Sequence, residues 1–283
     1  MENIQTEKLE VTQKPSARST KINLNILSVW GPPIIALVLF LLIWQFGTLL
    51  LQIPPYIMPK PTDVLAATIE NWSRLVNSAT TTILESVIGF VFSVLIGVSA
   101  AIIMASSKIL ERSLYPYAIL LQTIPIVAIA PIIVIWFGSG MNAIVIIAFT
   151  IGFFPMLSNT LIGLNATDRS MIDLLSLYKA SKWQIMWKIR IPAALPYIVA
   201  GLKISCTLAI IGAIVGEYIA GIGGGDGGLG YAITVASTTM EIPYLFACGI
   251  AASILGIVFF LLVSLFSKLV LGSWHESEMK KER

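Results

Sequence analysis

Six long apolar runs constrain the fold of this chain more than any other feature of its sequence. A helix that crosses the hydrocarbon core of a bilayer needs about 20 mostly apolar residues. Of the 283 residues, 57% are hydrophobic and only 12% are charged, whereas about a quarter of a soluble domain is charged. The sequence therefore predicts an all-α polytopic membrane protein, with a membrane domain at 29–272 and tails at 1–28 and 273–283. Its six transmembrane helices are predicted at residues 31–52, 84–105, 114–136, 141–160, 196–219 and 244–267.

Lysine and arginine alternate between the two sets of connecting segments. One set contains the N-terminal tail, the turn after the second run, the segment between the fourth and fifth runs, and the C-terminal tail, and all of these are basic. The other set contains only Lys60 and Arg74, and residues 220–243 contain no basic residue. By the positive-inside rule, both termini face the cytoplasm and the protein is a multi-pass component of the cell membrane. The net charge of +3 is too small to favour nucleic acid as a partner.

A basic, tryptophan-containing segment interrupts the apolar sequence before the fifth run, "SLYKASKWQIMWKIRIPAALPYI" at 176–198. Ser170 with Asp173, and Ser181 with Gln184, fit the capping-box spacing that begins a helix. We expect two short helices joined by a tight turn, with Pro192 ending the second helix and Pro196 opening the next span.

Two interpretations of this segment remain open on physical grounds. Its basic face and its tryptophans suit contact with anionic membrane lipid. A tight "KAS" turn between two capped helices instead presents small groups at a tip, as a surface for docking a partner protein would.

The segment resembles the cytoplasmic loop of ABC importer permeases. That loop has an acid-Ala-Ala start, a glycine six residues later, and an Ile-x-Leu-Pro ending. Asp173 stands at the acidic position and Lys179 at the glycine position, and leucines replace both alanines. The ending is formed by Ile189, Ile191 and Pro192.

Other stretches are similar, in order, to permeases of the nitrate/sulfonate/taurine class: "IPPYIMPKPTDVLAA", "LQTIPIVAIAPIIVIWFGSG", "FFPMLSNTLIGL" and "GEYIAGIGGGDGGLGYAI". The resemblance implies a type I importer permease fold, working as a homodimer with a dimer of ABC ATPase subunits and an extracytoplasmic solute-binding protein. ATP and Mg²⁺ would bind to the ATPase, so this chain would be no enzyme and bind no cofactor itself. It implies coupling helices at 168–192, with contacts to the ATPase from Asp173, Tyr178, Lys179, Ala180, Ser181, Trp183, Gln184, Ile189 and Pro192.

The third run contains two prolines, Pro125 and Pro131. Each removes a backbone hydrogen bond and bends the helix. Broken helices in transporters tend to line a pathway, which makes Gln122, Thr123 and Pro125 candidate pathway residues. A kink that serves packing alone is the equal alternative.

Few ionisable residues lie within the runs, and such residues default to a functional role. Glu85 and Glu217 lie near the outer ends of their spans, where they could reach water, and Lys203 could extend to the cytoplasm. Glu217 is the preferred gate or pathway residue, with Lys203 a second candidate. Gly212 and Gly216 form a G-x-x-x-G pattern that predicts close helix packing.

Two segments are predicted outside the membrane on the far side. "GGGDGGLGY" at 223–231 lacks the Gly-Lys-[Ser/Thr] of a phosphate-binding loop, so we expect a flexible loop that contacts the binding protein. Residues 53–82 contain a helix start at Thr62 and Asp63, and predict a short amphipathic helix with Val64, Leu65, Thr68 and Trp72 on one face. No metal-ligating constellation is evident.

Two other functions are possible. A stand-alone ion-coupled carrier or channel with a basic cytoplasmic loop would be expected to show inverted repeats or a proton-relay cluster of buried acids, and neither is evident in the sequence. An intramembrane enzyme would need a catalytic set. Among importers, "AIIGAIVGEYIAG" is more similar to permeases for pyrimidine precursors and riboflavin than to those for sulfonates or nitrate. A solute of the nitrate, sulfonate, taurine or bicarbonate type is the alternative.

Overall fold

The computed structural model describes the backbone of residues 22–221 and 227–271. It describes the side chains of residues 31–221 and 227–269. The described residues contain helices and connecting turns but no strand. The helices are α1 (Ile22–Leu50), α2 (Pro61–Glu70), α3 (Trp72–Ala105), α4 (Lys108–Thr123), α5 (Ile126–Phe137), α6 (Met141–Asn165), α7 (Arg169–Leu177), α8 (Lys182–Ile185), a π-helical turn (Met186–Arg190), α9 (Ile191–Ala220), α10 (Leu229–Thr238) and α11 (Ile242–Leu271).

The predicted number of membrane spans agrees with the helices. Five of the described helical stretches are long and apolar enough to cross a membrane, and α4 with α5 makes a sixth if that bent pair is one span. The chain divides into two compact units, residues 1–52 and residues 53–283. The described element of the first unit is α1. The predicted tails lie outside the described residues, except that 22–28 begin α1.

The predicted span at 114–136 is not one straight helix. α4 and α5 meet at an angle of 97° across Ile124 and Pro125. Pro125 has no N–H to donate, and its ring forces the preceding residue out of the helical conformation; Ile124 accordingly has an extended backbone. The predicted bend at Pro125 is thus confirmed and is sharper than a kink, whereas Pro131 lies inside α5 without interrupting it.

The interior of the second unit is formed by α3, α6 and α9, which pack with their backbones close together. The Ser93 hydroxyl on α3 donates to the carbonyl oxygen of Phe149 at 2.9 Å, and the Ser205 hydroxyl on α9 donates to that of Gly152 at 2.7 Å. A Cβ added at Gly212 would lie 2.7 Å from the Ala148 Cα. The predicted close packing at the G-x-x-x-G pattern of α9 is therefore confirmed.

The segment before the second span contains the predicted short helix, α2, which ends before Trp72. Val64 is buried, whereas Leu65 and Trp72 are exposed. The helix begins after Lys60, whose backbone N–H donates to the Asp63 carboxylate at 3.3 Å. Trp72 begins α3, which extends twelve residues before the predicted start of that span.

The prediction that Pro192 ends one helix and Pro196 opens another is wrong. Residues Lys182–Ala220 form one continuous helical stretch of 39 residues. Within it, the Ile191 N–H bonds to the carbonyl oxygen of Met186, five residues back, in the π-helical turn. Because a proline ring clashes with the carbonyl four residues earlier in a regular helix, the wider turn before Pro192 provides the room that its ring needs.

Candidate functional site

The segment 168–192, which we call the cytoplasmic-loop segment after the family it resembles, begins with α7. The N-cap of α7 is Asp168, whose Oδ1 accepts a hydrogen bond from the Ser170 N–H at 2.9 Å. This hydrogen bond lowers the pKa of the Asp168 carboxyl. The predicted capping box of Ser170 with Asp173 is therefore wrong, because Ser170 already lies in the first turn. A carboxylate is the stronger cap, since its charge also suits the positive end of the helix.

The turn after α7 is a Schellman motif. The Ala180 N–H donates to the carbonyl oxygen of Leu175 at 3.0 Å, and the Lys179 N–H donates to that of Ser176 at 2.9 Å. Lys179 has a φ of 56°, in the left-handed region. This conformation is the one that glycine adopts most readily at such a helix end, and Lys179 occupies the glycine position of the loop pattern.

The second helix of the segment begins as predicted. Ser181 and Gln184 form a capping box: the Gln184 N–H donates to the Ser181 hydroxyl at 3.2 Å, and the Ser181 N–H donates to the Gln184 side-chain oxygen at 2.8 Å. Trp183, in the first turn of this helix, is in edge-to-face contact with Trp187 one turn later, with ring centroids 5.5 Å apart. The tip of the segment is therefore fixed by its own hydrogen bonds and ring contact.

Two residues that sequence reasoning did not single out attach this segment to the bundle. Met186 is buried in a cluster with Met104 of α3, Leu161 of α6 and Ala194 of α9. The Arg190 guanidinium donates to the carbonyl oxygen of Ala105 at 2.8 Å, at the C-terminal end of α3, where a cation is favourable. In the sequence Met186 and Arg190 resemble their apolar and basic neighbours, so neither had a distinguishing signal.

The large apolar side chains at the tip of the segment are mostly exposed in the described part of the chain. Leu177 is 80% exposed, Tyr178 78% and Trp183 66%, and Met171 and Leu174 are also exposed. Exposed apolar clusters of this kind mark sites of contact with another protein or a membrane. Among the predicted coupling residues, Asp173, Lys179 and Gln184 are exposed as well, whereas Ala180, Ile189 and Pro192 are half-buried.

The predicted pathway residues divide into two groups. Gln122, Thr123 and Pro125 line a pocket of about 470 Å³ at the break between α4 and α5, with Thr150 and Phe154 of α6 also lining it. Neither Lys203 nor Glu217 lines that pocket. Lys203 is half-buried in α9, and the one ion pair among the described residues is elsewhere.

The expectation that Glu217 and Glu85 could reach water is wrong. Both side chains are buried, with exposed fractions of 1% and 3%. Glu217 Oε2 accepts the Gly230 N–H at 2.6 Å, and the Thr82 hydroxyl accepts the Leu229 N–H at 2.8 Å. Side chains of α9 and α3 thus cap the N-terminus of α10, which has no side-chain cap of its own.

The glycine-rich sequence is therefore only partly a loop. Residues 222–226 lie outside the described residues, but Leu229–Thr238 form α10, with Leu229, Ala232 and Ala236 buried. A Cβ at Gly228 would overlap the Glu217 carboxyl group and the Thr82 hydroxyl. Glycine is needed here because a side chain would collide with α9 and α3.

The chain is similar to proteins of one known family. Residues 93–272 match the model for the inner membrane component of binding-protein-dependent transport systems. The chain belongs to this permease family. A probable ABC transporter permease protein of Haemophilus influenzae is 33% identical over 76% of this chain and 86% of that protein. The formylaminopyrimidine transport permease ThiX of Halalkalibacterium halodurans is 31% identical over 87% of this chain and 96% of that protein.

The fold agrees with this assignment. A crystal structure of an amino acid ABC transporter with histidines matches 72% of this permease and 97% of that chain, with a TM-score of 0.57 and 17% sequence identity. The type I permease fold predicted from the resemblance is thus confirmed. The protein is a transmembrane permease subunit of an ABC importer, and the stand-alone carrier or channel is set aside.

Proposed function

We propose that a separate ABC ATPase docks on the cytoplasmic-loop segment of this permease, and that ATP-driven movement of this segment opens and closes the solute pathway. The exposed apolar tip formed by Leu177, Tyr178 and Trp183 carries the proposal. Such side chains are costly to leave in water, and aromatic residues are enriched where proteins bind each other. This observation favours docking over contact with lipid, because the capped turn holds the tip in one shape.

A docked partner needs a stiff connection to the membrane domain. Met186 packs into the bundle and Arg190 bonds to the end of α3, so the segment is tied to α3, α6 and α9 together. The helical stretch Lys182–Ala220 has no break. A displacement at the tip is therefore passed directly into α9.

The pocket at the break between α4 and α5 is the proposed part of the solute pathway in this subunit. Gln122, Thr123 and Thr150 offer hydrogen-bonding groups there, Phe154 offers an aromatic face, and its lining in the described chain includes no charged side chain. A second copy of the permease completes the pathway, and both termini and the cytoplasmic-loop segment face the cytoplasm, where the basic residues are concentrated.

An uncharged heterocyclic solute of the vitamin-precursor type suits this lining better than a small anion such as nitrate or a sulfonate. The named solutes of two similar permeases support this choice: formylaminopyrimidine for ThiX, and riboflavin for RibX of Chloroflexus aurantiacus, which is 30% identical over 86% of this chain. An extracytoplasmic binding protein delivers the solute, as the family description implies.

Purification of the tagged chain from its native membranes in mild detergent, with partners identified by mass spectrometry, tests the docking. We expect an ATPase to be recovered with the unchanged chain and lost with Trp183→Ala. Trp72→Ala is the matched control, because Trp72 is equally exposed but lies at the start of α3. Equal recovery with both variants, or transport in vesicles without ATP, would contradict the proposal.

The solute is tested separately, on the binding protein that accompanies the complex. Thermal stabilisation of that protein by pyrimidines or flavins, and not by nitrate or sulfonates, is expected. Stabilisation by the anions alone would refute the solute class and leave the docking proposal intact.

A further inference from the structure

Two carboxyl groups from different helices meet in the interior of the permease. Glu85 of α3 and Glu217 of α9 are almost fully buried, and their carboxyl groups lie within hydrogen-bonding reach of each other. The proposed docking and transport steps use neither residue. Two negative charges side by side in such surroundings repel each other and lose their hydration.

The hydrogen-bond donors around the pair do not reach all four of its carboxyl oxygens. Glu217 Oε2 accepts the Gly230 N–H at 2.6 Å. The Thr82 hydroxyl, one turn before Glu85, accepts the Leu229 N–H and lies within hydrogen-bonding reach of both the Ser78 carbonyl oxygen, at 3.2 Å, and the Glu217 carboxyl group. Its single hydrogen serves only one of these two acceptors at a time. Among the described residues, Glu85 Oε2 and Glu217 Oε1 have no donor when the Thr82 hydroxyl bonds to Ser78. The two atoms without a donor thus belong to the two neighbouring carboxyl groups.

No cation in the described chain neutralises the pair. Among the described residues, the other titratable side chains in the first four turns of α3, the last turn of α9, and α10, and at the start of α11, are Arg74, Tyr218, Tyr231, Glu241, Tyr244 and Cys248. Arg74 is engaged elsewhere, since it pairs with Glu241 at 3.3 Å and lies over the Tyr244 ring at 4.7 Å. None of these residues donates a hydrogen bond to Glu85 or Glu217 in the described chain.

We infer that Glu85 and Glu217 bind one proton between them, and that this proton ties α3 to α9 where both helices hold the N-terminus of α10. Glu85 carries the proton and donates it from Oε2 to Oε1 of Glu217. Glu217 is the ionised partner, because it faces the positive end of α10 and accepts a backbone N–H there. One shared proton supplies the donor that both unpaired oxygens need.

The inference has a definite consequence for stability. An unfolded chain would hold this glutamate ionised at neutral pH, since an unperturbed glutamate titrates near 4.3. The folded chain therefore binds one proton more than the unfolded chain, and its stability falls as the pH rises. The slope expected for one proton is about a tenfold decrease in the folding equilibrium constant per pH unit.

Infrared spectroscopy of the full chain in lipid nanodiscs detects the proton directly. We expect a protonated-carboxyl C=O band at neutral pH that shifts on exchange into D₂O and disappears in Glu85→Gln. Glu241→Gln is the matched control, because the Glu241 side chain is 48% exposed and paired with Arg74; its spectrum should keep the band. Absence of the band from the unchanged chain, or its persistence in Glu85→Gln, would refute the inference.

Thermal unfolding between about pH 6 and about pH 8.5 provides a second readout. We expect the melting temperature of the unchanged chain to fall across this range, and Glu85→Gln, which keeps an uncharged donor at the same place, to lose most of that pH dependence. If Glu85→Gln does not fold, the titration of the infrared band in the unchanged chain still decides. If the melting temperature or the infrared band depends on Na⁺ instead of pH, a metal cation occupies the site. That result would refute the shared proton.

Discussion

Adding one methyl group at Gly212 tests the packing that holds the membrane domain together. In Gly212→Ala the new Cβ would lie 2.7 Å from the Ala148 Cα and 3.2 Å from the Ile151 Cδ1, whereas nonbonded carbon atoms pack at about 3.5–4.0 Å. The Ala148 Cα is a backbone atom, so no side-chain rotation relieves the overlap. α9 and α6 must therefore separate by about 1 Å.

The expected cost follows from two opposing effects. Overpacking a close contact costs about 1–3 kcal/mol, and the upper part of that range applies because the blocking atom belongs to the backbone. Alanine is favoured over glycine within a helix by about 1 kcal/mol. Gly212→Ala should therefore lower the free energy of unfolding by about 1–2 kcal/mol.

The same substitution at Gly249 is the control. A Cβ there meets no atom within 4 Å, so Gly249→Ala keeps only the helical benefit and should raise the free energy of unfolding by about 0.5–1 kcal/mol. Both variants are compared by reversible unfolding in mixed micelles with increasing SDS. If Gly212→Ala proved as stable as Gly249→Ala, α6 and α9 would not approach as closely as described.

Three further substitutions test the cytoplasmic-loop segment. Lys179→Gly should stabilise the turn by about 1 kcal/mol, because glycine adopts the left-handed conformation at little cost. We expect slower amide exchange at Ala180, and faster exchange would contradict the Schellman motif. Ser181→Ala removes a helix cap worth about 0.5–2 kcal/mol and should speed amide exchange at Gln184, whereas Ser176→Ala should not. Met186→Ala removes a buried side chain and should lower the free energy of unfolding by about 2–5 kcal/mol; a change as small as that of an exposed residue would refute its anchoring role.

Local patterns explain why much of the helical layout could be read from the sequence. Apolar run length locates five of the long helices, and the break at Pro125 follows from the missing N–H and the restriction on Ile124. The Ser181 capping box was also predictable, because both of its hydrogen bonds join residues three positions apart. Each of these signals lies within one turn or one run of residues.

The errors have an equally local cause. At the start of α7 two capping patterns overlap, and the spacing alone does not show that Asp168 caps the helix in place of Ser170. At Pro192 the rule that proline ends a helix fails, because a π-helical turn makes room for the ring. The sequence contains no marker for such a turn, and its extent depends on how Met186 and Arg190 attach to neighbouring helices.

The contact of Glu85 with Glu217 could not have been predicted from periodicity, because it depends on how α3, α9 and α10 pack in three dimensions. Each glutamate alone is consistent with a side chain that reaches water at the end of a span. The glycines at 228 and 230 are a relevant signal, because glycine indicates close backbone approach as well as flexibility. A Cβ at Gly228 overlaps Glu217, and one at Gly230 overlaps the carbonyl oxygen of Ile214, so these glycines also mark where α10 lies directly against α9.

A single helical stretch joins the proposed docking surface to the proton-binding pair. Lys182–Ala220 has 39 residues, which at about 1.5 Å per residue is roughly 58 Å, well beyond the hydrocarbon core of about 30 Å. Trp183 lies at one end of this stretch and Glu217 near the other. Because the stretch is unbroken, tilting its first turns must move Glu217 against α3 and α10 unless the π-helical turn absorbs the motion. A movement of the tip is therefore either taken up at the π-helical turn or carried along α9 to the glutamate pair.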